Sequence, residues 1–358
     1  MHRRLLAAFA LALATAVPAS SQTLRIVPST QHPTIQSAVD AAGLGDIIQI
    51  KAGTYATAVA IDSKGKLTIQ GKGKVVLDAT GQAIGLNVTD CSNVRIENVE
   101  VRSATTIGVS LAMCSLVELK EVRSIGAGGN GFQSSDGFGL AFIQCVARDA
   151  GNHGFLLETS QSYVRRCDAI DSATRGIEVD GDNNAITECK VKGTGSEGIW
   201  VHDTGSDCDA NLIAKNQVSN AGSNGIFLSD DGIGNTIASN VVKGAQGYGI
   251  ESTCAGTSIT DNKVIGSANS GYWIAGLRCV IRNNKATNVG ADGFFLQGST
   301  VFSMVYGNSV KGAVGVGFDV NGSPTTFAKN TAKNCVGGEI DVDPMAVVLD
   351  FENGFDVD

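Results

Sequence analysis

The chain has 358 residues, 17% of them charged, with 27 lysines and arginines against 35 acids for a formal net charge of -8. That balance argues against nucleic acid as a partner, because such binding is carried by clustered cations. Forty-five glycines with only five prolines describe a chain full of tight turns, not a disordered or collagen-like one.

The first predicted element is a leader. His2, Arg3 and Arg4 precede the apolar run LLAAFALALATAV, which ends in small residues at PASSQ. This is the pattern of a secretory signal peptide over residues 1–22, too short to span a bilayer comfortably, and no later segment approaches the roughly 20 apolar residues that spanning needs. The mature chain is therefore expected to be secreted or periplasmic. Without Arg3 and Arg4 it has 25 basic residues against 35 acids, a net charge of -10. Such a surface repels polyanionic sugars unless local basic residues or a bound cation intervene.

From residue 23 to 343 the chain repeats itself. Glycines followed by an apolar residue recur at Gly85, Gly108, Gly131, Gly154, Gly176, Gly198, Gly225, Gly249, Gly271, Gly293 and Gly317, at intervals of 22 to 27. A second column runs in step: Asn98, Glu121, Cys145, Cys167, Cys189, Asn216, Asn240, Asn262, Asn284, Asn308 and Asn330. Each unit holds three short apolar alternations separated by Gly, Asn, Asp and Ser, with no competing helical period. Three strands and three turns in about 22 residues make one coil of a parallel β-solenoid, each strand pairing with its equivalent about 4.8 Å along the axis. The spacing predicts an all-β fold of eleven or twelve coils.

The opening PTIQSAVDAAGLGDIIQIKAGTY, Pro33 to Tyr55, followed by the two columns, resembles the right-handed parallel β-helix superfamily that contains pectate lyases and proteins with parallel β-helix repeats. The resemblance covers nearly all of the mature chain and implies the fold. It does not select an activity, since that superfamily includes lyases, hydrolases, epimerases, esterases and non-catalytic members. It also implies a short N-terminal capping helix, Thr34 to Ala42, within a cap at 33–43. Residues 344–358 break the period and are expected to close the last coil.

The asparagine column reads as structural, its amides bonding the backbone and one another. Cys145, Cys167 and Cys189 then act as small buried substitutes. Nine cysteines without any CxxC pair are expected to be reduced and inert.

In the strand after each repeated glycine, positions 2 and 4 face outward. The first outward column places Trp200, Phe227, Trp273 and Phe295 in one stripe with Glu178. Flat rings suit the apolar faces of sugars, although packing beneath loops or against another subunit would also use them. The second column sets Glu158, Asp180 and His202 on successive coils, with Glu178 two residues from Asp180 along its strand as a further catalytic candidate. Carboxylates about 5 Å apart disfavour double ionisation, which makes an acid and base pair or a calcium site. His202 adds a general acid or base. Arg175 and His153 precede the strand and lean toward the same groove, as cations for a uronate. Insertions after His202 and Leu228 supply Asp203, Asp207, Asp209, Asp230 and Asp231, with Asp203 and Asp230 the candidate calcium ligands.

GIWVHD, residues 198 to 203, lacks the arginine signature of pectate lyases, and the chain has neither the GHG of polygalacturonases nor the DPH of alginate epimerases. The leading expectation is a monomeric exported protein that binds and cleaves a polysaccharide, as a lyase or glycoside hydrolase. The alternative is a non-catalytic glycan-binding or structural β-helix. A weaker third reading, metal delivery, suffers from a poor supply of histidine.

Overall fold

The structure, a computed structural model, describes residues 22–205, 208–229 and 232–343, together with the backbone of Phe351–Glu352. Residues 1–21 of the expected leader, most of residues 344–358, and Asp207, Asp230 and Asp231 lie outside the described residues. Among the described residues no helix is long and apolar enough to cross a membrane.

The chain winds into a right-handed parallel β-solenoid of about 14 turns. Each turn contributes to three ladders of parallel strands. In one coil these are Phe155–Ser160, Tyr163–Arg165 and Asp168–Ile170, and each pairs with its equivalent in the next, Ile177–Asp180, Ala185–Thr187 and Lys190–Thr194. They are called here the first, second and third ladders. The repeat arithmetic undercounts the turns because the end coils lack the glycine. The first ladder already contains Val59–Asp62 before Gly85 and still contains Ile340–Val342 after Gly317; Ala58 and Glu339 stand where the glycine would be.

Elsewhere the glycine is dictated by its neighbours. A Cβ on Gly225 would meet the Gly249 carbonyl oxygen at 2.6 Å and collide with Val242 of the third ladder. The residue after it points inward: Ile177, Ile199, Ile226 and Ile250 are fully buried and stack coil on coil. Where the stack is aromatic, the rings lie parallel, as in Tyr272 on Phe294 at 4.4 Å and Phe294 on Phe318 at 5.0 Å.

The corner between the second and third ladders carries the asparagine column. Asn240 shows its bonding: its backbone N–H and its Nδ2 both donate to Asn262 Oδ1, at 2.9 and 3.0 Å, and Nδ2 also donates to the Ile213 carbonyl at 2.8 Å. The same three bonds recur at Asn216, Asn262, Asn284 and Asn308. The nine cysteines, all among the described residues, form no disulfide, and the Cys145 N–H donates to Cys167 Sγ at 3.4 Å in the asparagine manner. The column departs from the repeat reading at its start. Asn98 and Glu121 belong one position earlier, exposed at the left-handed corner with φ of 54°, and the true members are the buried Val99 and Val122. A second buried column, Asn184, Asn211 and Asn235, holds the corner between the first and second ladders: Asn184 N–H donates to Asn211 Oδ1, and Asn211 N–H to Asn235 Oδ1.

The helix Ile35–Ala41 covers the first coil, where an open solenoid would expose core and unpaired edges. Thr34 caps it through a capping box with Ser37, and Ile35, Ala38 and Val39 are buried beneath it.

Two outcomes follow. Gly225→Ala should overpack the coil and lower stability by about 1–3 kcal/mol, read as a lower melting temperature. Asn262→Ala should leave two donors of Asn240 unpaired and cost about 1–3 kcal/mol, while Asn262→Cys, which supplies a weak acceptor, should cost less in the same thermal melts.

Candidate functional site

The register of the first ladder brings the outward columns together as stacked neighbours. Glu158 pairs with Asp180 and Asp180 with His202, while Glu178 pairs with Trp200 and Trp200 with Phe227. Glu251 and Trp273 are also register partners, followed by Phe295.

Glu178 is the centre of a buried network, not a free acid. Only 6% of it is exposed. Its Oε1 lies 3.1 Å from His202 Nε2, and its Oε2 accepts from Arg175 at 2.9 Å and lies 3.2 Å from His153 Nδ1. Burial raises its pKa, but the hydrogen bond to His202 and the charge of Arg175 outweigh that and leave it below the usual carboxylate value. Arg175 bridges onward to Glu197 at 2.8 Å. Thr174 Oγ1 donates to Asn152 Oδ1 at 2.8 Å and sits 3.1 Å from His153 Nδ1, which therefore carries the proton it shares with Thr174 and Glu178. Burial pushes the His153 pKa below its ordinary value.

Trp200 packs into this network. His202 stacks on it at 3.8 Å between ring centroids, the Arg175 guanidinium lies over it at 4.1 Å, and Phe227 follows at 6.1 Å with the rings 6° apart. Its indole N–H donates to Ser229 at 2.9 Å. His202 is therefore 4% exposed on a face that strand alternation marks as outward, because Trp200 and the ion pairs roof it over. The packing use of the ring, open at the sequence level, accounts for Trp200. Phe227, Trp273 and Phe295 remain half-buried, Trp273 stacking on Phe295 at 6.4 Å between centroids and lying tilted by 33° against Tyr248 at 6.0 Å.

Glu158 is exposed, and Asp180 beside it is only partly covered. Asp180 accepts from the Thr204 N–H at 3.1 Å and the Thr204 hydroxyl at 2.8 Å, with His202 Nδ1 4.0 Å away. Burial raises the Glu158 pKa, and the charges of Asp180, Asp136 and Glu178 raise it further. Asp203 turns back on its own loop, accepting from the Gly205 N–H at 2.8 Å. Asp209 likewise accepts from the Ile233 N–H at 2.7 Å. Among the described residues no group of three or more His, Cys, Asp or Glu is arranged to hold a metal ion; Asp230 lies outside them.

Three participants escaped the sequence reading. Glu197, at the end of the turn before Gly198, anchors Arg175 and is held low by that bond and by Ser196 despite burial. Thr174 orients His153. Glu251 fills the position between Phe227 and Trp273, hydrogen-bonded by Asn224, and burial raises its pKa. It stands in the same outward column as Trp200, so the aromatic signal alone passed over it.

The described geometry has relatives. A family model for the right handed beta helix region matches residues 84–242 and 206–278, together more than half of the chain. No curated protein matches it. Among solved structures, the A-module of the mannuronan C-5 epimerase AlgE4 of Azotobacter vinelandii aligns with a TM-score of 0.68 at 17% identity, covering 89% of this chain and 95% of that one. The catalytic unit of a thermostable GH87 α-1,3-glucanase from Streptomyces thermodiastaticus gives 0.56 at 15%, covering 89% and 65%. The periplasmic alginate epimerase AlgG gives 0.50 at 16%, covering 90% and 82%. At these identities the likeness is one of fold, and these neighbours are carbohydrate-active.

The network sets an acid limit on stability. A depressed carboxylate such as Glu178 or Glu197 stabilises the fold above its unfolded value, near 4.5, and that stabilisation is lost as pH falls through the folded pKa. His153 acts in the same direction: below its ordinary 6.5 the unfolded chain takes up a proton that the folded site refuses. The melting temperature should decline from about pH 6.5 downward and more steeply below about 4.5. Glu178→Gln should flatten the lower part of that profile while lowering stability at neutral pH.

Proposed function

The chain belongs to the right-handed β-helix family, and on that scaffold we propose an exported protein that binds a polysaccharide along the outer face of the first ladder and cleaves it there. The observation that carries this reading is the alignment of parallel aromatic rings with a carboxylate pair on one sheet face. Trp273 and Phe295 offer ring surface to sugars, and Glu158 and Asp180 stand on adjoining coils of the same ladder.

In this proposal Glu158 is the proton donor. Its raised pKa keeps it protonated at higher pH than an ordinary carboxyl, so it can deliver a proton to the glycosidic oxygen as the bond breaks. Asp180, held by Thr204, faces the anomeric carbon from the neighbouring strand and forms the ester bond that replaces the one broken; water activated by the Glu158 carboxylate then hydrolyses that ester and returns the proton to Glu158. Strands about 4.8 Å apart separate the two groups by nearly the 5–5.5 Å of retaining glycosidases. His202 is a positioning residue, fixed between Glu178 and Trp200 and directed by Nδ1 toward Asp180. A lyase route would instead use a carboxylate or His202 to abstract a proton, with Arg175 or His153 near the uronate.

A second reading has its own support. Glu178 is fully engaged by three donors and His202 is roofed by Trp200, as expected where the face serves binding alone.

A polysaccharide panel, with and without calcium, separates the two through reducing ends and the ultraviolet absorbance of unsaturated products. For a cleaving enzyme, Asp180→Asn and Glu158→Gln should each lower turnover about a hundredfold or more with melting temperature retained, and wild-type activity should fall as pH rises through the elevated Glu158 pKa. Trp273→Ala should weaken polysaccharide binding about tenfold on either reading. Retention of ligand without product in any arm would leave the binding reading standing.

A further inference from the structure

The third ladder carries a charged surface of its own, on a different sheet from the Trp200 groove. Between Gln217 and Lys333 its outward positions include Lys243, Lys263, Lys285, Lys311 and Lys333, and none carries an acid. The register stacks like on like: Lys263 pairs with Lys285 and Lys311 with Lys333. Equal charges one strand spacing apart repel.

The same ladder avoids that repulsion in its earlier coils. There Glu100 bonds Arg102 and pairs with Arg123 at 3.2 Å, and Asp168 stands beside Lys190. In the later coils, among the described residues, no carboxylate forms an ion pair with Lys243, Lys263, Lys285 or Lys311. The nearest acid in sequence, Asp261 at the corner, accepts instead from Asn283 Nδ2 at 3.3 Å. On a chain of net charge -8, this strip is a concentrated local excess of positive charge.

Its other residues say what it would hold. Thr287, Ser309 and Thr331 alternate with the lysines and line, with Lys285, Lys311 and Lys333, a shallow depression of about 450 Å³. Hydroxyls and ammonium groups along a straight, flat face match a polymer that offers hydroxyls and anions in alternation. The strip has no aromatic ring on which bases would stack and no wide apolar face to enter a lipid surface.

We propose that this lysine strip is a binding site for a linear acidic polysaccharide, carrying about one carboxylate or sulfate per sugar and laid along the axis of the rod. It rests on the third ladder alone, so it stands or falls separately from cleavage at Glu158 and Asp180.

The probe is polygalacturonate, with dextran as its neutral counterpart and phosphatidylserine vesicles and duplex DNA as the other anions. Wild-type protein should bind polygalacturonate, and that binding should weaken steeply as salt is raised from about 50 to about 500 mM, as screening requires. The triple variant Lys263→Gln, Lys285→Gln, Lys311→Gln should bind it at least tenfold more weakly, and its melting temperature should hold or rise because repulsion has been removed. Any product formed from a neutral polysaccharide should be formed equally by the triple variant and the wild type, because the three lysines lie on a different ladder from Glu158 and Asp180. Undiminished affinity in the triple variant, equal retention of dextran and polygalacturonate, or tighter binding of vesicles or DNA would each overturn the proposal.

Discussion

Every side chain in this solenoid meets the residue one coil before and one coil after it, at the spacing of paired strands. That single constraint decides what each position can hold. Inward positions tolerate it by packing like on like, as Ile177, Ile199 and Ile226 do. The glycine before them is required because the neighbouring glycine carbonyl and a third-ladder valine occupy the space a side chain would need. Polar corner positions tolerate it only if each group is donor to one neighbour and acceptor from the other, a condition the carboxamide meets and few side chains can.

Charged groups find the constraint hardest, and the two outer faces resolve it differently. On the first ladder, Glu178 is stabilised by drawing in His153, Arg175 and His202 from three coils, which buries the cluster and ties up its acid. Glu158 stands beside Asp180 without a cation of its own, and burial first, then the charges of Asp180, Asp136 and Glu178, raise its pKa. On the third ladder Lys263 and Lys285 are stacked with no carboxylate among the described residues paired to either. Both features hold interaction free energy that a ligand of the right chemistry would relieve.

The fold was legible because its cause is periodic. Two columns at one interval imply stacked coils whatever the activity, and the Thr34 cap and the buried cysteines followed from the same frame. What escaped was aperiodic or cooperative. The end coils carry Ala58 and Glu339 in place of glycine, and the corner before Val99 and Val122 admits any residue at positive φ, so Asn98 and Glu121 imitated the column without belonging to it. At the candidate site, alternation correctly grouped Glu158, Asp180, His202 and Trp200 on one face, but it could not show that Trp200 and Arg175 would close over His202. Burial there arises from side chains of several coils folding over one another, and strand periodicity reports only the direction in which each one starts.

The asparagine column has a mechanical consequence. In every bonded pair from Asn216 to Asn330 the carbonyl oxygen accepts from the coil before it. Backbone bonds of parallel strands run both ways, and the amide nitrogens do likewise, donating forward to the next asparagine and back to a backbone carbonyl of the coil before, as Asn240 does to Asn262 and to Ile213. Each carboxamide therefore fastens its own coil to both neighbours, and the run from Asn216 to Asn330 forms a continuous cable along the axis, in which the loss of one member disturbs the coils on either side.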